Sequence, residues 1–311
     1  MYSIIIPIFN EQETIPELYR RLKVVIDKLD KPVEVILVDD GSRDQSLKLL
    51  KEIHQKDARI KLLSFSRNFG HQVAISAGLD HASGEAVIIM DSDLQDPPEL
   101  IPKMIDRWEE GNHVVYTVKR SRKENIFKKF AFHSFYKLML FFSSIPIPIE
   151  AGNFSLIDQR VVKVIKEMPE RNRYISGMRA WAGFKQTMIE FDRDARFAGK
   201  PQMTFVRLFN FALDGIFSFS KTPLRFSIFI GSIIALLSFC GTIYVVYAKL
   251  FTDKATPGWA SPVVSILFIG GIILLMLGII GEYIGRIYDE VKMRPLYIIR
   301  DKIGFSENSI Q

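Results

Sequence analysis

Cysteine is nearly absent: Cys240 is the only one in 311 residues, so no intramolecular disulfide can form, and its place in an apolar run suggests a structural thiol. No G-x-G-x-x-G follows the first apolar run and no G-x-x-x-x-G-K-S/T occurs anywhere, so neither a dinucleotide fingerprint nor a P-loop is supported. No nucleic-acid-binding motif accompanies the net charge of +6. That excess is expected to face phosphates or anionic headgroups instead. The chain opens directly on a strand pattern, without a basic n-region or cleavage site, so the first domain is expected to stay on the side where it is made. Charge itself is nearly missing from two long stretches, Phe226–Leu250 and Ala260–Tyr288, whereas residues 1–125 mix charged and apolar segments.

In the first half, strand and helix patterns alternate. Strands are expected at Tyr2–Pro7, Val33–Asp39, Ile60–Ser64, Ala86–Met90 and Val114–Val118. Helices are expected at Thr14–Leu29, Asp44–Gln55, Gly70–Ala82 and Pro98–Glu110, with Thr14 and Glu17 spaced as a capping box. Such alternation implies right-handed βαβ units and an α/β, Rossmann-like, mainly parallel sheet. Ligands of such sheets bind beyond the carboxyl ends of the strands.

At those ends the polar residues gather. Asp91-Ser92-Asp93-Leu94-Gln95-Asp96-Pro97-Pro98-Glu99 follows the fourth strand and packs four carboxylates and an amide into nine residues. In an extended or turning segment, Asp91, Asp93 and Gln95 can face one way, and hard oxygen donors on one face suit Mg²⁺ or Mn²⁺. Asp96 and Glu99 could instead start the following helix. Phe9-Asn10-Glu11, Asp39-Asp40-Gly41-Ser42 and Ser66-Arg67-Asn68-Phe69-Gly70-His71 end the other three strands. Each alone is ordinary turn chemistry, but together they would converge on one edge. There Asp40 can accept from a base N–H and Arg67 can bind a phosphate.

These four motifs, in this order, resemble the GT-A glycosyltransferase family 2. Within it the chain resembles the polyprenyl-phosphate glycosyltransferases of the dolichol-phosphate mannose synthase and GtrB bactoprenol glucosyltransferase types. The likeness runs on through Phe209–Phe219 and Gly281-Glu282-Tyr283-Ile284-Gly285-Arg286, nearly the whole chain. The resemblance implies inverting transfer of a hexosyl group from a nucleotide sugar, UDP-glucose foremost, to undecaprenyl phosphate, with Mg²⁺ or Mn²⁺. It implies donor contacts from Pro7, Asn10, Glu11, Asp39, Asp40, Arg67 and Asp91, a metal on Asp93 and Gln95, and catalytic roles for Asp91, Asp93 and Arg120. The acceptor phosphate would meet Arg122, Asn153, Arg196 and Lys200. Two departures stand out. Gly152-Asn153-Phe154-Ser155-Leu156 replaces a common Gly-Asp-Phe-Arg-Leu, and Gln202 falls where relatives carry lysine. Asn153 cannot act as a base, and a phosphomonoester with a second pKa of ~6 hardly needs one.

The remaining segments are expected to meet a membrane. Residues 126–144 mix lysines with Phe127, Phe130, Phe132 and Phe135, as an interfacial helix does. Phe226–Tyr247 and Ala260–Ile280 are each long enough to span a bilayer, and Gly270, Gly271 and Gly278 allow close helix approach. The expected division is a catalytic domain over 1–200, a juxtamembrane helix over 201–222, a two-helix membrane domain over 223–288 and a tail over 289–311. Lys221, Arg225, Arg286, Lys292, Arg294, Arg300 and Lys302 flank the spans, which places the catalytic domain and both termini in the cytoplasm at the plasma membrane. Glu282 and Arg286 are spaced to pair. Self-association and a small flippase partner fit such an enzyme, as does a different donor such as UDP-GlcNAc. A catalytically silent membrane scaffold recruiting a flippase is the reading from another class. Processive synthases carry Gln-x-x-Arg-Trp, which Arg179-Ala180-Trp181 only echoes.

Overall fold

The computed structural model describes residues 1–119, 151–171, 173–191 and 260–305, with isolated positions between 224 and 251. Two compact units emerge. Residues 1–119, 151–191 and 294–305 fall in the first and Ala260–Met293 in the second.

The first unit is built on an eight-stranded sheet of order β7-β5-β6-β4-β1-β2-β3-β8. Its strands are β1 (Tyr2–Ile8), β2 (Val33–Asp39), β3 (Ile60–Phe65), β4 (Ala86–Ile89), β5 (Val114–Lys119), β6 (Ala151–Asp158), β7 (Gln186–Phe191) and β8 (Ile299–Ile303). Every residue of β1, β2 and β4 is buried, which is why these strands read as largely apolar, interrupted only by Ser3, Glu34 and Asp39. The helices of this unit are α1 (Ile15–Ile26), α2 (Ser46–Lys56), α3 (His71–His81), α4 (Ile101–Glu109), α5 (Gln159–Glu167) and α6 (Ile175–Trp181). In α1, Leu18, Leu22, Val25 and Ile26 form the buried stripe.

The sheet is mixed but mainly parallel: β1 to β5 and β7 run one way, and only β6 and β8 run against them. β1 pairs in parallel with β2 and β4, and β2 with β3, so these four strands end at one edge. β6, however, runs antiparallel to both β4 and β5. Val118 near the end of β5 faces Ala151 at the start of β6, so β6 enters from the edge where β5 leaves. Such a strand runs backward and needs no crossover helix. β1 to β5 follow the alternation seen in the sequence, and the reversed strands β6 and β8 fall outside it.

Three local expectations change. Thr14 precedes α1 but forms no side-chain cap; its hydroxyl donates to Glu11 (2.9 Å), while Glu17 pairs with Arg20. A 3₁₀ turn, Pro98–Leu100, precedes α4, and Glu99 binds Arg21 through two hydrogen bonds of 2.9 and 2.6 Å instead of capping the helix. The segment read as a tail after residue 289 is no tail, because β8 pairs antiparallel with β3 at the sheet's edge. An edge strand without its own apolar alternation is invisible until its partner is known.

The second unit holds α7 (Ala260–Val291), a 32-residue helix. Its stretch Phe268–Val291 is long and apolar enough to cross a membrane, and among its described residues none is buried in the protein. Leu274 is 71% exposed and Phe268 64%. Near its end Arg286 donates to Glu282 at 2.8 and 3.0 Å, the pairing their spacing implied. Cys240 is a free, exposed thiol, not a packed one.

Asp158 locks the far edge of the sheet. It caps α5 by accepting from the Arg160 N–H (2.9 Å), and it accepts from the Arg160 guanidinium and from Trp108 Nε1 (both 2.9 Å). Burial works to raise its pKa, but these donors hold it down to about 2. A carboxylate with a depressed folded pKa stabilises the fold above its unfolded value near 3.9 and ceases to do so as pH falls through the folded value. Allowing for the exposed Arg160, Asp158→Asn is expected to destabilise the unit by ~1–2 kcal/mol at pH 7. The gap between variant and wild-type melting temperatures should close as pH drops from about 4 toward 2, measured on the full chain in detergent.

Candidate active site

The carboxyl ends of β1 to β4 surround a cavity of about 400 Å³ lined by Pro7, Ile8, Phe9, Glu11, Asp40, Asn68, Gly70, His71, Asp91, Ser92 and Asp93. Its first two loops are laced together. The Asn10 N–H donates to Ser42 Oγ (3.0 Å), the Arg43 N–H to Asn10 Oδ1 (2.8 Å) and the Glu11 N–H to Ser46 Oγ (2.9 Å). Asn10 reaches this position with a φ of 54°, a conformation asparagine tolerates better than most residues.

Asp40 carries the third loop. Its carboxylate, 3% exposed, accepts from the Phe69 N–H (2.6 Å) and the Gly70 N–H (3.0 and 3.2 Å). Burial raises its pKa above the ordinary range, and the two amides offset this only in part. Gly41 makes the contact sterically feasible. At φ 69° it lies so close that a Cβ there would stand 2.5 Å from the Arg67 carbonyl carbon and 2.7 Å from the Asn68 nitrogen.

In the fourth loop the burial alternates. Asp91, Asp93 and Gln95 are half-buried while Ser92, Leu94 and Asp96 are buried, so the first three share the open side. The Gln95 N–H donates to Asp93 Oδ1 (3.1 Å), and Leu94 turns the chain at φ 59°. His71, the first residue of α3, meets Asp91 across the cavity, Nε2 to Oδ1 at 2.8 Å. Burial disfavours charge on His71, yet the Asp91 hydrogen bond and the carboxylates of Asp40 and Asp93 raise its pKa above the ordinary imidazole value. Among the described residues no three His, Cys, Asp or Glu side chains gather as a metal cage. Two half-buried carboxylates nevertheless suit a hard cation whose shell a ligand's own oxygens complete.

The expected residues therefore divide. Pro7, Glu11, Asp40, Asp91 and Asp93 line the cavity. Asp39 does not: it is fully buried, with one oxygen accepting from the Ser42 N–H (3.0 Å) and the other from Ser64 Oγ (2.8 Å), so it braces the loop and is closed to a ligand. Asn10 is likewise engaged with Arg43. Arg67 lies over the Phe69 ring at 4.0 Å and donates to the Asn68 carbonyl, off the cavity lining. Gln95 shares the open side without lining it. Asn153 Oδ1 accepts from Gln72 (3.4 Å), whose own Oε1 accepts from the Ile175 N–H (3.0 Å), so Asn153 is tied beside the start of α3. Arg120, Arg122, Arg196 and Lys200 lie outside the described residues.

Two residues went unassigned in the sequence. His71 belongs to a polar cluster at a strand end, but nothing in its spacing pairs it with Asp91, twenty positions on. Arg179 is buried (1% exposed), with its guanidinium 5.3 Å from the Tyr116 ring centre and no hydrogen-bond partner for any of its three nitrogens among the described residues. Burial lowers its pKa to about 10. A lone arginine in an apolar-looking helix carries no sequence mark of such burial.

Residues 3–166 match "Glycosyl transferase family 2" and residues 222–287 match "GtrB C-terminal hairpin". The chain is 45% identical over 99% of its length, and 96% of the relative's, to "Uncharacterized glycosyltransferase YkcC" of Bacillus subtilis (strain 168). It is 40% identical over 96% of its length, and 97% of the relative's, to "SfII prophage-derived bactoprenol glucosyl transferase" of Shigella flexneri. Among solved structures, glucosyl-3-phosphoglycerate synthase from Mycobacterium tuberculosis in complex with Mn²⁺, UDP and phosphoglyceric acid aligns with a TM-score of 0.49 at 15% identity, covering 70% of this chain and 76% of that one.

Gly41→Ala is expected to lift the Arg67–Gly70 loop off Asp40, because both the added Cβ and the positive φ oppose it. Amide exchange at Phe69 and Gly70 should then quicken at least about tenfold, a factor that ~1.4 kcal/mol of lost protection produces.

Proposed function

The chain belongs to glycosyl transferase family 2, and from that premise we propose that it transfers a hexosyl group, with inversion, from a UDP-sugar to undecaprenyl phosphate at the cytoplasmic membrane face. UDP-glucose is the favoured donor, because bactoprenol glucosyl transferases match the chain over nearly its full length. The observation that carries the reading is the cavity itself, where Asp40, Glu11, Asp91 and Asp93 converge at the carboxyl edge of the parallel strands.

The residues divide the chemistry among them. Pro7, Glu11 and Asp40 border the part of the cavity suited to the nucleoside. Asp93, with Gln95 on the same side, would hold Mg²⁺ or Mn²⁺, and Asp91 would face the donor. A bound divalent ion supplies charge neutralisation for the departing diphosphate. Arg120, Arg122, Arg196 and Lys200 remain the candidates for phosphates of donor and acceptor. Asn153, beside Gln72 and the start of α3, cannot remove a proton, so the acceptor must arrive as a ready nucleophile. A lipid phosphomonoester, largely dianionic near neutral pH with a second pKa of ~6, meets that requirement. A sugar hydroxyl would not.

The membrane reading rests on two features. The apolar face of Phe268–Val291 is unburied, a state that water penalises and lipid does not. Moreover β8, after that helix, belongs to the same sheet as β1–β3, before it. A chain that leaves a domain and returns to the same sheet must cross a bilayer an even number of times. The uncharged Phe226–Tyr247 is the natural second span, giving a two-helix membrane domain over about 223–288. Residues 126–144 and 201–222 would lie at the interface. Of the basic residues assigned to the flank after the second span, Arg300 and Lys302 belong to a folded strand, which keeps that flank on the catalytic side.

Purified in detergent with undecaprenyl phosphate and Mg²⁺ or Mn²⁺, the chain is expected to consume one of UDP-glucose, UDP-GlcNAc, UDP-galactose or GDP-mannose, with UDP-glucose the fastest. Asp93→Ala should lower turnover at least about a hundredfold; unchanged turnover would remove the metal assignment. Asn153→Asp should change neutral-pH turnover less than about tenfold, since no base is required.

A further inference from the structure

The strand that returns to the sheet after the membrane segment ends against the donor cavity's own supports. β8 pairs with β3 in the register Leu62 to Ile303, Leu63 to Lys302, Ser64 to Asp301 and Phe65 to Ile299. Arg300 is the extra residue, a bulge between the last two pairs. Bulges re-aim a side chain that regular pairing would send elsewhere. Here the guanidinium turns onto the sheet: Arg300 Nη2 donates to Ser64 Oγ at 2.9 Å.

From the resulting chemistry, which rests on reading the cavity as the nucleotide-sugar site, we propose that Arg300 is a positioning residue for donor binding, acting through Ser64 and Asp39. Arginine can only donate. The Ser64 oxygen must therefore accept from it, and the single hydroxyl proton is left for Asp39 Oδ2 at 2.8 Å. Ser64 and Asp39 are both fully buried, so no water competes for that proton. Asp39 Oδ1 in turn accepts from the Ser42 N–H (3.0 Å), and Ser42 Oγ accepts from the Asn10 N–H (3.0 Å). The relay thus ends in the two loops that carry Glu11 and Asp40.

A second line of contact runs alongside. The Ser66 N–H donates to the Ile298 carbonyl (3.0 Å). The Tyr297 ring stacks on Phe65 (5.2 Å), Phe65 meets Phe69 edge-on (5.7 Å), and the Phe69 N–H is one of the two that Asp40 holds. An edge strand that merely covered β3 would need neither the bulge nor a guanidinium on a sealed Ser–Asp pair. The Arg300 side chain is half exposed, with its Nε 3.8 Å from Asp301 Oδ2, yet its Nη2 is spent inward on Ser64.

The test compares Arg300→Met, Arg300→Lys and Tyr297→Phe in the full-length chain in detergent. Tyr297→Phe removes a hydrogen bond from the same segment to Asp80 (2.9 Å) but keeps the ring stack. UDP is titrated in the presence of Mn²⁺, and amide exchange at Ser42, Phe69 and Gly70 is followed without ligand. Arg300→Met should weaken UDP binding about tenfold, as loss of a charged donor to a buried acceptor does, and quicken exchange at those amides. The KM for undecaprenyl phosphate and kcat should stay within about twofold, and Arg300→Lys should recover part of the loss. UDP affinity within about twofold of wild type, unchanged exchange, or an equal effect from Tyr297→Phe would each overturn the proposal. If wild type binds no UDP, the donor reading itself falls, and amide exchange alone still decides whether Arg300 holds the loops.

Discussion

The buried Asp40 carboxylate, gripping the Phe69 and Gly70 amides, is the contact on which the shape of the cavity depends. It converts two strand-end loops into one wall. The approach is close enough to exclude any side chain at residue 41, and it leaves Asn68, Gly70 and His71 facing the space that Glu11 and Asp93 face from the other side. Burial makes the carboxylate costly to keep charged, and its two backbone donors recover only part of that cost. Such an arrangement persists where the surrounding packing over-determines it, and here the buried, largely apolar strands below supply that packing.

The same economy governs the other polar residues. Asp39 and Asp40 are neighbours in sequence with opposite assignments: one is sealed beneath the loop with a serine on each oxygen, and the other opens toward the cavity. Alternation along a strand end explains it, since successive side chains leave on opposite faces. The acidic loop follows the same period, which sets Asp91 and Asp93 outward and tucks Ser92, Leu94 and Asp96 away. His71 then places a cation-prone ring against Asp91, so the cavity is not uniformly acidic.

The central strands were legible because a strand buried on both faces is mainly apolar, as Tyr2–Ile8, Val33–Asp39 and Ala86–Ile89 are apart from Ser3, Glu34 and Asp39. The facing of the acidic loop was legible because alternate positions of an extended or turning segment share a side, as Asp91, Asp93 and Gln95 do. β8 was not, since Ile299–Ile303 buries neither face fully and its identity as a strand comes from β3. The capping box at Thr14 and Glu17 failed for a related reason: Glu11 and Arg20 offered those side chains nearer partners. The reversal of β6 also escaped, because direction depends on which edge a strand enters from and not on its composition.

By itself the sequence determined the family, the alternating α/β core and the residue types at the strand ends, because apolar runs, turn residues and spaced carboxylates act locally and leave their pattern in the chain. Tertiary structure alone decided which of those residues face the cavity. Asp39, Asn10 and Arg67 turn to partners more than twenty residues away or to an adjacent ring, His71 finds Asp91, and Arg300 reaches Ser64 from the far end of the chain. A side chain's free valence depends on who else arrives within about 3 Å of it, and only folding fixes that.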